Sequence, residues 1–78
     1  MKNLTTVFDF EPEVVDGIYA NCTVVFERNG DNVVKIVEVD YDSDVCDHVA
    51  AECDRLFASG ELFDELISAW QIEVALDG

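Results

Sequence analysis

Residues 18–41 read IYANCTVVFERNGDNVVKIVEVDY, two alternating apolar runs on either side of Arg28-Asn29-Gly30-Asp31. Asn-Gly is the strongest short hairpin signal, because a two-residue type I′ turn needs positive φ at both central positions and these residue types tolerate it. With Asn29-Gly30 as the turn, the pairs on one face are Ile18 with Tyr41, Ala20 with Val39, Cys22 with Val37, Val24 with Lys35 and Phe26 with Val33. All but Lys35 can be buried. A three-residue loop would bring Glu38 opposite Cys22 on that face, so the hydrophobic pattern selects the two-residue register. The other face then carries Val25 opposite Val34, Thr23 opposite Ile36, Asn21 opposite Glu38 and Tyr19 opposite Asp40.

Before the hairpin, Leu4, Thr6, Phe8 and Phe10 alternate with Thr5, Val7 and Asp9, the period of a half-buried strand with both phenylalanines inward. Glu11-Pro12 ends it, since proline donates no ladder hydrogen bond, and Asp16-Gly17 is a second turn. Val7, Asp9 and Glu11 are placed on the outer face. After the hairpin the period changes to helical, with Val45, Cys46, Val49, Ala50, Cys53, Leu56 and Phe57 on one stripe. Ser43 or Asp44 is the expected N-cap, and Ser59-Gly60 the stop. Leu62, Phe63, Leu66, Ile67 and Trp70 mark a second helix. Ile72, Val74 and Leu76 alternate like a strand, but Val74 also follows Trp70 by one helical turn, and continued helix is the reading adopted. Residues 1–78 thus form a single small acidic domain of α+β class. Its three-stranded antiparallel sheet has the order β-β-β-α-α, with two helices packed on one face.

A chain of 78 residues buries only about 60% of the surface it exposes when unfolded, so each large apolar side chain counts. The 4 Lys and Arg against 18 Asp and Glu leave a net charge of -14, where small soluble domains carry about 2 to 8 of either sign. Phosphate backbones and anionic membranes are bound by clustered cations. Lys2, Arg28, Lys35 and Arg55 are scattered, which argues against direct nucleic-acid binding and against a membrane partner. No apolar run approaches the roughly 18 residues of a spanning helix. Met1-Lys2-Asn3-Leu4-Thr5 lacks the apolar segment of a signal peptide, and a cytoplasmic location is expected. Three cysteines, Cys22, Cys46 and Cys53, fit free thiols better than a disulfide framework.

Among the chemistry-bearing patterns, Asp40-Tyr41-Asp42-Ser43-Asp44 matches the first half of an EF-hand loop, with oxygen ligands at positions one, three and five. The match ends there. Val45 stands where the loop needs glycine, and Ala51 where it needs a bidentate glutamate, so weak calcium binding is a third-ranked reading. Cys46, His48 and Cys53 have no zinc-ligand spacing, and the two thiols fall on the packing stripe. No nucleophile has an oriented base, so no catalysis, cofactor or metal is expected. Trp70 is read first as core and second as an interface anchor.

Function therefore rests on charge and surface. Glu38, Asp40, Asp42, Asp44 and Asp47 run from the third strand into the helix cap, and outward residues two apart on a strand lie roughly 6.6 Å apart. Such a track presents fixed negative charges much as phosphates do. Its expected partner is a basic nucleic-acid-binding protein or complex. Asp9, Glu11, Tyr19, Val25, Val34 and Ile36 on the outer sheet face complete the expected partner-binding set, Val25, Val34 and Ile36 forming an apolar patch beside the acidic end. In size, element order and lopsided charge the whole chain resembles small phage-encoded inhibitors of host defence, including anti-CRISPR and anti-restriction proteins that mimic DNA. The resemblance rests on no defining motif. It implies an inhibitor acting in the host cytoplasm. The alternative is an acidic binding or assembly module that forms a homodimer through the open sheet face.

Overall fold

The computed structural model describes residues 3–77. Its strands are β1 (Asn3–Phe10), β2 (Glu13–Val15), β3 (Ile18–Tyr19), β4 (Cys22–Asn29) and β5 (Asn32–Tyr41), followed by α1 (Asp47–Ser59) and α2 (Phe63–Asp77). The main sheet is antiparallel in the order β1-β4-β5, and β2 and β3 form a separate two-stranded ribbon. The three-stranded α+β architecture expected from the sequence is present. The ribbon adds to it, folding the acidic connection back on itself at Asp16-Gly17, where Gly17 has φ 78 and its N–H donates to Glu13 Oε2 at 3.0 Å.

The hairpin register differs from the expected one. Asn29 pairs with Asn32, so the tip is Gly30-Asp31, with Gly30 at φ 62. Going away from the tip, Arg28 pairs with Val33 but Glu27 with Lys35, and Phe26 pairs with Ile36 but Val25 with Glu38. Val34 and Val37 are therefore the extra residues of two β-bulges, and each bulge reverses which side chains face inward. The inward set on β5 becomes Val33, Ile36, Val39 and Tyr41, all packed against the core, and Val37 is exposed. Strict alternation would have buried Lys35. The first bulge sends it outward, where Nζ lies 3.8 Å from Glu27 Oε1, and an unpaired ammonium is not desolvated. Ile18 has no place in this ladder; it pairs with Val15 in the ribbon.

The first strand also changes phase. Thr5 pairs with Phe26 and Val7 with Val24, whereas beyond a bulge Phe10 pairs with Cys22. Asp9 makes the bulge, at φ 55. The inward residues are thus Thr5, Val7 and Phe10, and the expected inward Leu4 and Phe8 are 68% and 63% exposed on the outer face. Val7 and Phe10 are both buried only because the bulge keeps Asp9 from following Val7 inward.

Both helices cover the inner face. α1 buries Val49, Cys53 and Phe57, and Leu62, just before α2, and Leu66, in its first turn, add to them. These meet Val7, Phe10, Cys22, Val24 and Phe26 in one core, with the Phe10 and Phe57 rings 6.1 Å apart and tilted by 42°. The N-terminus of α1 departs from expectation: Cys46, exposed and extended, is the N-cap residue and no side chain caps the helix. Asp42 holds the preceding turn instead, accepting from the Ser43 hydroxyl at 3.3 Å and the Asp44 N–H at 3.4 Å, while the Val45 N–H donates to its carbonyl at 3.0 Å. The C-terminus follows the sequence. Gly60 takes φ 85, and its N–H and that of Glu61 reach back to Phe57 O at 3.2 Å and Leu56 O at 3.1 Å. α2 continues through Ile72, Val74 and Leu76, as read, and leaves all three exposed.

Candidate interaction surface

Glu38 and Asp40 lie on the outer sheet face, because their cross-strand partners Val25 and Thr23 are out of phase with buried Val24. Asp42 and Asp44 follow in the turn and Asp47 opens α1; all five carboxylates are exposed. Tyr41, between Asp40 and Asp42, points the other way. Its hydroxyl donates to Asp54 Oδ1 at 2.5 Å and so ties the end of β5 to α1. Burial and this hydrogen bond push the phenol well above its ordinary value, so it remains a donor at any physiological pH. The acidic run thus has a fixed course from strand to turn to helix.

The described cations are engaged elsewhere. Lys35 pairs with Glu27. Arg55 bonds Glu52, holding that carboxyl below its ordinary range, and lies 4.0 Å from Glu61. Arg28 donates to Thr5 Oγ1 at 2.8 Å and to Gly30 O at 3.1 Å, with its guanidinium 4.1 Å from the centre of the Trp70 ring. Trp70 is accordingly half-buried, packed beneath that stack. Among the described residues, no lysine or arginine forms an ion pair with Glu38, Asp40, Asp42, Asp44 or Asp47. Lys2 lies outside the described residues.

Other members of the expected set are dispersed. Asp9 and Glu11 belong to the far edge of the sheet, where with Phe10, Asp64, Glu65 and Ile72 they line a cleft against α2; Glu11 Oε1 also accepts from Asn21 Nδ2 at 3.1 Å. Tyr19 does not face Asp40. It pairs with Glu13 in the ribbon and is 59% exposed. Val25 keeps its outward position but faces Glu38. Ile36 packs inward, and Val34, bulged, joins Ile36, Val39, Phe57 and Phe63 in a groove on the helix side. The apolar patch of Val25, Val34 and Ile36 is therefore not a surface of this protein, because the two bulges on β5 divide it between opposite faces. Leu4 and Phe8 occupy the outer face instead. The signal for them was Asp9, a charge that would turn inward if Val7 did.

The three cysteines are free thiols, Cys22 and Cys53 buried and Cys46 exposed. Cys22 is buried, its Sγ 3.5 Å from Phe10 O, and its hydrogen bond with Cys53 together with burial pushes its thiol far above the ordinary range. Cys46, expected to pack, is exposed because it precedes the first helical turn. Among the described residues, no three His, Cys, Asp or Glu side chains are grouped to hold a metal ion, and no helix is long and apolar enough to cross a membrane. Fold and surface define a small acidic α+β domain. No protein-family model matches the chain, and neither a curated protein nor a solved structure matches it.

Proposed function

We propose that the protein is a non-catalytic acidic inhibitor, active in the cytoplasm, that occupies the basic nucleic-acid-binding site of a partner protein. The observation that carries this reading is the exposed run of Glu38, Asp40, Asp42, Asp44 and Asp47, held in place by β5, the Asp42 turn and the start of α1, with no described cation paired to it. The backbone that carries these carboxylates needs no reordering on binding, and their summed field steers a basic cleft toward them. The likeness to phage-encoded DNA mimics of the anti-CRISPR and anti-restriction type points the same way. A homodimer through Val25, Val34 and Ile36 loses its footing once Ile36 and Val34 leave the outer face.

The test is capture of partners from a cell extract at low salt, followed by elution with duplex DNA. DNA releases the partner if the two share a site. Charge reversal in the triple variant Asp40→Lys, Asp42→Lys and Asp44→Lys lowers affinity about tenfold or more and flattens its salt dependence. A partner that stays bound in excess DNA overturns the mimicry.

A further inference from the structure

We propose that the outer face of the sheet around Leu4 and Phe8 is a docking surface for an apolar ridge flanked by lysine and arginine on another protein. Leu4 and Phe8 stand four residues apart on the same side of β1, with Thr6 between them, and they are 68% and 63% exposed. Val25 continues the surface across β4, opposite Thr6 on one side and Glu38 on the other. From the opposite direction Leu76, 82% exposed, closes a shallow cleft with Thr6, Phe8 and Glu73. Large exposed aliphatic and aromatic side chains gathered on one face are what anchors a partner, since a central apolar contact excludes water from the polar contacts around it.

The rim decides the partner. Glu38 and Asp40 border the surface along β5 and Glu73 borders it along α2, while beside Leu4 the rim is Glu27 with its partner Lys35. Carboxylates thus stand on both sides of the apolar strip and outnumber the one ammonium there. A partner that covers Leu4 and Phe8 brings its flanking groups against these carboxylates, and lysine and arginine there are attracted. A second copy of this chain would bring carboxylates against carboxylates, with a net charge of -14 on each molecule. Strand addition to β1 is not the mode, because α2 already occupies part of that edge: the Phe8 N–H donates to Glu73 Oε1 at 3.2 Å. Docking therefore uses the side-chain face. The inference goes beyond the acidic run and holds whether or not the partner's basic surface is one that binds nucleic acid.

The probe is a synthetic amphipathic helix of leucine and lysine with its leucines on one stripe, compared with an isomer of identical composition whose leucines are spread around the helix. The full chain binds the striped peptide about tenfold more tightly than the isomer, with amide shifts by NMR at Leu4, Thr6, Phe8 and Val25. Leu4→Ser and Phe8→Ser, each at an exposed position and each checked for an unchanged melting temperature, bring the two affinities together. Leu4→Ser alone suffices if Phe8→Ser disturbs the neighbouring bulge. Equal affinity for both peptides overturns the proposal, as do shifts confined to residues 42–47, the latter leaving the acidic run intact as a site. A dimer by sedimentation equilibrium that Leu4→Ser converts to monomer overturns it in favour of self-association. Binding of the free protein to neutral phosphatidylcholine vesicles that Leu4→Ser abolishes overturns it in favour of a lipid surface.

Discussion

β4 alternates without interruption from Cys22 to Phe26, burying Cys22, Val24 and Phe26, whereas its neighbours change phase, β1 at Asp9 and β5 at Val34 and Val37. The difference follows from position. A central strand is hydrogen-bonded on both sides and an extra residue would break two ladders, while an edge strand has only one to disturb. What the three bulges share is charge. Unbroken alternation would carry Asp9 inward after Val7, Lys35 inward after Val33, and Glu38 and Asp40 inward after Ile36. Each bulge falls where it keeps a charged side chain out of the core and delivers an apolar one, Phe10, Ile36 or Val39, in its place. In so acidic a chain the edge strands are phased by what must stay wet as much as by what can be buried.

The largest effect that tests this comparison comes from β1. Val7→Asp puts an uncompensated carboxylate where the side chain is 1% exposed, a loss of about 3–5 kcal/mol that a domain of this size does not survive. Phe8→Asp, one residue along and on the open face, changes stability by no more than about 0.5–1 kcal/mol. Thermal unfolding by circular dichroism reads both. A strand in the simple phase, with Phe8 inward, would give the opposite order and would remove the bulge at Asp9.

On β5 the contrast is smaller. Ile36 is only partly buried, so Ile36→Ala costs about 1–2 kcal/mol, below the full core value, and Val37→Ala stays within about 0.5 kcal/mol. Urea midpoints of the two variants separate them, and a larger loss at Val37 would restore the register in which Val37 faces Cys22. How much was legible in the sequence follows the same division. The β4 face, the helical stripes through Val49, Cys53 and Phe57, the Gly60 stop and the α+β class could be read because each rests on a period that nothing interrupts. The hairpin was legible but its tip was not: the pull of Asn29-Gly30 toward a type I′ turn is a local preference of the order of the residues' φ tolerance, and burial of Ile36 and Val39 outweighs it. The exposure of Asp42, Asp44 and Asp47 was legible because carboxylates near a helix start stay in water. The apolar part of the surface was not, since it depends on the phase of both edge strands at once.

The smallest effect probes the bulge on β1 at its source. Asp9 holds φ 55, in the left-handed region that aspartate enters more readily than most residues but still at a cost. Asp9→Gly removes that strain and adds freedom to the unfolded chain, and the two terms nearly offset, leaving stability equal or higher by up to about 1 kcal/mol. Asp9→Val introduces a β-branched side chain that cannot take this φ without a loss of about 1–2 kcal/mol, and it supplies an apolar residue that can follow Val7 inward. The melting temperatures of the two variants therefore move apart. A higher melting temperature for Asp9→Val than for Asp9→Gly would mean that residue 9 is extended, where valine is favoured and glycine is not, that β1 has a single phase, and that Phe8 belongs with the core and not with the open face.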